Sequence, residues 1–70
     1  MPDELFVTLN GQDRSLPRGT TLQGLVQSLK LEPERLAIEM NKVIVRRDLW
    51  RTTEIENGAM IEIVMFVGGG

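Results

Sequence analysis

Apolar residues recur along this chain in two periods, and the change of period separates strands from a helix. Leu5-Phe6-Val7-Thr8-Leu9 is a short run rich in strand-forming residues, and Asn10-Gly11 follows it directly. Asn-Gly favours the positive φ values of a type I′ hairpin turn. The pattern therefore predicts an antiparallel return over Gln12 to Leu16. Pro17 and Gly19 then end the strand.

A helical period follows the hairpin. Thr20 and Gln23 are spaced as a capping box, which predicts that the helix begins there. The apolar residues that follow fall at i, i+3, i+4 and i+7 and so share one helical face: Leu22, Leu25, Val26 and Leu29. Pro33 prevents the helix from continuing.

The period returns to two in the second half of the chain. Residues 37–40 alternate between polar or small and large apolar side chains, which predicts a half-buried strand. Asn41-Lys42 predicts a turn and Val43 to Val45 a short partner strand. Residues 46–56 have no clean period and are expected to be irregular, with one helical turn. Asn57-Gly58 predicts another turn, and Met60 to Phe66 the last strand.

One helix packed across one face of a mixed sheet of four to five strands buries these apolar stripes most economically. The expected fold class is α+β, and the arrangement is the β-grasp, or ubiquitin-like, fold. Residues 1–66 are expected to form this domain and residues 67–70 a flexible C-terminal glycine tail.

Alternation along the last strand predicts which side chains face outward. An unpaired Glu62 would be costly to bury in a small core, so Ile61, Ile63 and Met65 are expected to point inward. The same alternation leaves Phe6, Val64 and Phe66 on the outer face. If the first and last strands are neighbours, these three residues form one apolar partner interface beside the tail. The alternative is that they are ordinary scattered surface residues.

Composition removes most other chemistry. The 70 residues suffice for one small domain, and they include no cysteine and no histidine, which excludes disulfides, thiolate nucleophiles and most transition-metal sites. The net charge of -2 gives no electrostatic case for nucleic acid. No signal peptide and no apolar run long enough to span a bilayer is recognisable, so a cytoplasmic location is expected.

The chain ends in Val67-Gly68-Gly69-Gly70, directly after the last predicted strand. Glycine lacks a Cβ, so this stretch would fit a narrow channel in a partner and tolerate any φ. Fully extended, it reaches about 13 Å. Threaded into a partner site, it would deliver the terminal carboxylate of Gly70 for activation. A disordered tail without function is the alternative.

Three stretches resemble the sulfur-carrier proteins of thiamine biosynthesis, and the resemblance covers the whole chain. They are "NG" after the first strand, "AIEMNKVIVRRDLW" in the middle and "NGAMIEIVMFVGGG" at the end. The middle stretch carries the family's Asn and Arg-x-x-Trp as Asn41, Arg47 and Trp50. Many members have proline where this chain has Arg46.

The resemblance implies a co-substrate that is recycled and is not itself an enzyme. A ubiquitin-activating-enzyme-like adenylyltransferase, using ATP and Mg²⁺, would convert the Gly70 carboxylate to an acyl adenylate. A persulfide donor would then leave a thiocarboxylate, and thiazole synthase would take the sulfur into the thiazole ring of thiamine. The chain itself would bind no cofactor and no metal.

Other interpretations of the same features stay open at this point. The small subunit of molybdopterin synthase shares the fold and tail chemistry, but its members commonly have prolines before the tail and lack Arg-x-x-Trp. A protein modifier joined through an isopeptide bond and a plain β-grasp adaptor are further alternatives. Trp50 among arginines could stack on single-stranded nucleic acid, but a structural role at the edge of the core is favoured.

Overall fold

The computed structural model of the protein describes residues 3–66, which fold into one mixed sheet crossed by a helix. The five strands are β1 (Glu4–Leu9), β2 (Gln12–Pro17), β3 (Leu36–Met40), β4 (Val43–Val45) and β5 (Met60–Met65). The helix α1 spans Leu22–Ser28, and 3₁₀ turns span Pro33–Arg35 and Arg47–Leu49. The strand order is β2-β1-β5-β3-β4, so the last strand lies at the centre. This confirms the predicted α+β, ubiquitin-like β-grasp arrangement.

Two hairpin turns adopt the backbone conformation that their sequences predict. Asn10 and Gly11 have φ values of 50° and 81°, and Asn41 and Lys42 have 54° and 70°. Consecutive positive φ values are those of a type I′ turn, whose twist matches that of paired strands. β1 accordingly pairs antiparallel with β2, and β3 with β4.

The helix begins one residue later than the capping-box spacing predicted. Thr21 is the N-cap, and its side chain accepts a hydrogen bond of 3.1 Å from the Gly24 N–H. Thr20 bonds outside the helix instead: its carbonyl accepts the Ile55 N–H at 2.9 Å, and its hydroxyl donates to the Pro17 carbonyl. The prediction of Thr20 as the cap was therefore wrong. With Gly24 at N3, there is no side chain to complete the box.

The core lies between α1 and one face of the sheet. Leu22, Leu25 and Val26 are buried and Leu29 is half-buried against them, as the helical spacing predicted. Alternate residues of four strands supply the core from the sheet: Leu5, Val7, Leu9, Leu16, Leu36, Ile38 and Ile61. Among residues 3–66, no helix is long and apolar enough to cross a membrane.

Burial along β5 decreases toward its end, which corrects one expectation. Ile61 is 1% exposed and Ile63 is half-buried, but Met65 is 53% exposed. Met65 lies on the helix side of the sheet, where it lines a shallow depression with Lys30 and Leu31. The helix has already ended at Ser28, so the segment after it, including Glu32 and Arg35, borders this position instead. The predicted direction of Met65 was right, but its predicted burial was wrong.

Candidate functional site

The candidate site is the end of β5, which leads to the tail. β1 runs parallel to β5 but pairs with it only at Thr8↔Met60 and Leu9↔Ile61. The chain then turns at Asn10-Gly11 into β2, which lies on the far side of β1. On this side, therefore, the backbone of β1 accompanies only the first residues of β5.

Asn10 extends the contact between β1 and β5 with its side chain. Its backbone N–H donates to the Ile61 carbonyl at 2.8 Å. Its side-chain Oδ1 accepts the N–H of Ile63, also at 2.8 Å, across 53 positions of sequence. The side chain of Asn10 thus replaces the next backbone hydrogen bond between β1 and β5 and holds the middle of β5 in place.

On the other side, β3 accompanies β5 to its end. The antiparallel register continues through Ala37↔Val64 and Leu36↔Met65. One residue further, the Phe66 N–H donates to the Arg35 carbonyl at 2.8 Å. The strand is therefore held by backbone hydrogen bonds up to the last described residue, directly before the tail.

The outer face at this end of β5 is apolar and exposed. Val64 is 52% exposed and Phe66 is 56% exposed. Ala37 is the cross-strand partner of Val64 and so lies beside it on the same face. We call Ala37, Val64 and Phe66 the tail-side patch. The outward direction predicted for Val64 and Phe66 is confirmed, while their role as an interface stays a prediction.

Phe6 does not belong to this patch. It is 61% exposed on the outer face, as expected, but its carbonyl accepts the Gly58 N–H, before β5 begins. Because β1 and β5 are parallel, Phe6 lies about 20 Å along the sheet from Val64, six residues at roughly 3.3 Å each. The prediction of one contiguous patch was wrong because neighbouring strands do not bring residues together unless the register also matches.

Trp50 has the structural role that was favoured for it. The side chain is 2% exposed, and its indole N–H donates to the Val45 carbonyl at 2.8 Å. The carbonyl of the same residue accepts the Gln23 N–H at 3.1 Å, next to the start of α1. A buried ring with a satisfied donor offers no face on which a base could stack.

The described part of the chain has no cluster of side chains suited to binding a metal ion. No group of three or more acidic, histidine or cysteine side chains that could hold a metal ion occurs within residues 3–66. The predicted site of modification, Gly70, and the predicted threading residues Val67, Gly68 and Gly69 lie outside the described residues. What the structure describes is the platform from which they start.

Two contributors to this platform were not identified from the sequence. Asn10 was recognised only as a turn residue, and nothing in the sequence indicates that its side chain bonds to Ile63. Arg35 was not singled out at all, since its contribution is a backbone carbonyl, which carries no side-chain signal. The side chain of Arg35 pairs with Glu32 at 3.1 Å, and both side chains are mostly exposed.

The fold and this strand end are those of a small ubiquitin-like protein. The sequence matches the model of the ThiS family over residues 7–70. It is 40% identical over 66 residues to the sulfur carrier protein ThiS of Bacillus subtilis, covering 93% of this chain and all of that protein. The chain therefore belongs to the ThiS family.

Comparisons with a solved structure and with longer relatives agree with this assignment. The crystal structure of a thiamine biosynthesis protein (ThiS) from Geobacter metallireducens matches with a TM-score of 0.81 at 25% identity, covering 94% of this chain and 100% of that one. A protein of Magnetococcus marinus named thiazole synthase is 39% identical over 64 residues, or 91% of this chain. The chain spans only about a fifth of that relative's length, since the match covers 20% of it.

Proposed function

We propose that this protein carries sulfur as a thiocarboxylate on Gly70. The carboxylate attacks the α-phosphorus of ATP on a ubiquitin-activating-enzyme-like adenylyltransferase, and pyrophosphate leaves with Mg²⁺. The terminal sulfur of a persulfide donor then attacks the acyl carbon, and AMP leaves. Cleavage of the resulting S–S bond by a thiol reductant frees the thiocarboxylate. ATP and Mg²⁺ are used by the partner, in the cytoplasm, where ATP is available.

One structural observation supports this proposal. Backbone hydrogen bonds hold β5 through Phe66, so the tail leaves the domain from a fixed point. An apolar patch lies at that point, where a partner that receives the tail has to make contact. Fixing the start of the tail lowers the entropy that is lost when its end is held beside ATP.

Thiazole synthase is the proposed acceptor of the sulfur. The support comes from relatives in which a region similar to this chain forms about a fifth of a polypeptide named thiazole synthase. Inclusion in one polypeptide keeps two domains at a high effective concentration. The same two domains are proposed to associate here.

Deletion of Gly70 tests the carrier chemistry. Adenylation is measured by ATP–pyrophosphate exchange with the cognate adenylyltransferase, and the deletion should abolish exchange. Adding one glycine after Gly70 should do the same, because the carboxylate is then displaced by about 3.5 Å. The thermal midpoints of both variants should equal that of the unaltered protein, since residues 3–66 are unchanged.

Two outcomes would contradict the proposal. One is undiminished exchange after deletion of Gly70, because the reacting carboxylate would then have to lie elsewhere. The other comes from the intact mass after incubation with ATP, adenylyltransferase, persulfide donor and thiol reductant. The proposed carrier function requires the mass increase for replacement of one oxygen atom by sulfur. An unchanged mass excludes this function.

A further inference from the structure

The second half of β5 has a free hydrogen-bonding edge. The Asn41 N–H donates to the Met60 carbonyl and the Phe66 N–H to the Arg35 carbonyl, so residues 60 and 66 direct their backbone groups toward β3. Backbone groups alternate between the two sides of a strand. Residues 61, 63 and 65 therefore direct theirs toward β1, as the bonds of Asn10 to Ile61 and Ile63 show.

Among the described residues, no strand accompanies β5 on that side beyond Asn10. The carbonyl of Ile63 and the N–H and carbonyl of Met65 point into the space that β1 leaves when it turns into β2. We call these three groups the open edge. Within residues 3–66, neither β1 nor the Asn10 side chain reaches them. The described chain begins at Asp3, which precedes β1 and lies at the opposite end of the sheet.

Apolar side chains border the open edge on both faces of the sheet. Val64 and Phe66 lie on the outer face, and Met65 lies on the helix side, and each is more than half exposed. An extended segment placed here would gain backbone hydrogen bonds from the edge and apolar contacts on both of its faces. Natural sheets usually protect such an edge from pairing with other chains. Where an edge stays exposed, proteins commonly use it to bind an extended peptide as an added strand.

We propose that the open edge of β5 binds an extended segment of the adenylyltransferase as an added strand, continuous with the entry of the tail into its site. This inference rests on the proposed function. The acyl adenylate is a mixed anhydride that water hydrolyses, so the enzyme that forms it has to close the base of the tail. A strand added at Met65 would exclude water from the backbone next to Phe66, the last described residue before the tail.

A second copy of this chain fits the open edge less well. Self-pairing over so few residues would direct each tail against the Asn10-Gly11 turn of the other copy. Each copy also carries a net charge of -2, which adds repulsion. A segment of a different protein need not carry a tail at this point or the same net charge.

Proline substitution tests the open edge because it removes a single N–H. The Met65 N–H takes no part in the pairing with β3, so Met65→Pro should fold, as proline does on strand edges that face solvent. Its Kd for the adenylyltransferase should rise about tenfold or more, the usual effect of losing a backbone hydrogen bond and close strand contact. Met65→Ala removes the side chain but keeps the N–H, and its Kd should rise less than about threefold.

Ile44→Pro is the matched control at the other edge of the sheet. Ile44 pairs with Glu39, whose backbone groups are directed toward β5, so the Ile44 N–H also faces the open side of its strand. The residue is apolar and 69% exposed. Its substitution should leave the Kd within about threefold of the unaltered value. Equal binding by Met65→Pro and Ile44→Pro would overturn the proposal, as would an equal loss with Met65→Ala.

Amide hydrogen exchange on the unaltered protein tests the same proposal if Met65→Pro fails to fold. In the saturated complex, exchange of the Met65 N–H should slow at least tenfold, while that of the Ile44 N–H is unchanged. An unprotected Met65 amide overturns the added strand. A dimer of the free protein that Met65→Pro converts to monomer would also overturn it, in favour of a second copy.

The outcome separates the two proposals. If the unaltered protein supports pyrophosphate exchange but neither the Kd of Met65→Pro nor the hydrogen exchange of the Met65 amide changes as expected, only the proposal of an added strand is overturned. If the unaltered protein supports no exchange, the carrier chemistry fails, and the added strand fails with it.

Discussion

The two halves of β5 have similar apolar sequences and opposite surroundings. Ile61 lies in the half that has β1 on one side and β3 on the other, and it is 1% exposed. Val64, Met65 and Phe66 have β3 on one side only, and each is more than half exposed. Burial along one strand is therefore decided by which neighbours extend far enough, and the same strand can supply both core and docking surface.

Truncation of one aliphatic side chain in each half should give the largest contrast. Ile61→Ala should lower the free energy of unfolding by roughly 2–5 kcal/mol, the usual cost of a cavity in a core. Val64→Ala should stay within about 0.5 kcal/mol, as for most surface positions. Urea denaturation of both variants measures the difference. Equal costs would mean that the second half of β5 is as well buried as the first.

A charge on the tail-side patch should weaken partner binding without unfolding the protein. Phe66→Asp should cost about 2 kcal/mol or more in affinity for the adenylyltransferase, because exposed aromatic residues often act as anchors in interfaces. Phe6→Asp is the control, since Phe6 is similarly exposed at the other end of the sheet. This variant should bind the adenylyltransferase with normal affinity.

The thermal midpoint of each free variant decides how the binding result is to be understood. Both midpoints should stay close to that of the unaltered protein, because a buried charge would cost several kcal/mol and an exposed one would not. Unfolding of Phe66→Asp would show that Phe66 belongs to the core. A folded Phe66→Asp that binds normally would remove the patch as an interface.

Removing the side chain that joins the two halves should have the smallest effect. Asn10→Gly keeps the positive φ but loses the acceptor for the Ile63 N–H, and should destabilise by about 1 kcal/mol. Asn10→Asp keeps an acceptor oxygen and should stay within about 0.5 kcal/mol. Denaturant midpoints compare the two variants. Equal midpoints would show that the bond to Ile63 contributes nothing.

The positions of the strands along the chain and the two hairpins could be predicted from local signals. Period-two alternation and the Asn10-Gly11 turn specify a hairpin through contacts between near neighbours. Glu62 likewise indicated which face of β5 is outward, because an unpaired carboxylate is costly to bury. Such signals require no knowledge of the rest of the fold, which is why they sufficed.

The errors concern quantities that depend on distant parts of the chain. The register between β1 and β5 joins residues about fifty positions apart, and no local pattern indicates which residue of β1 faces Met60. Phe6 was therefore assigned to the wrong end of the sheet. The exposure of Met65 depends on where α1 stops, and the cap at Thr21 depends on the bond between Thr20 and Ile55.

The central position of β5 also has a consequence for how the protein is made. β1 and β3 are not neighbours of each other, and they meet only through the strand that is synthesised last of the five. On the ribosome, a chain that stops before Met60 leaves both strands with unpaired edges and lacks Ile61 in its core. Completion of the sheet therefore reports that translation has passed β5. A fragment that stops before Met60 therefore lacks the strand that joins the β1–β2 hairpin to the β3–β4 hairpin, and its unpaired edges are open to association with other chains.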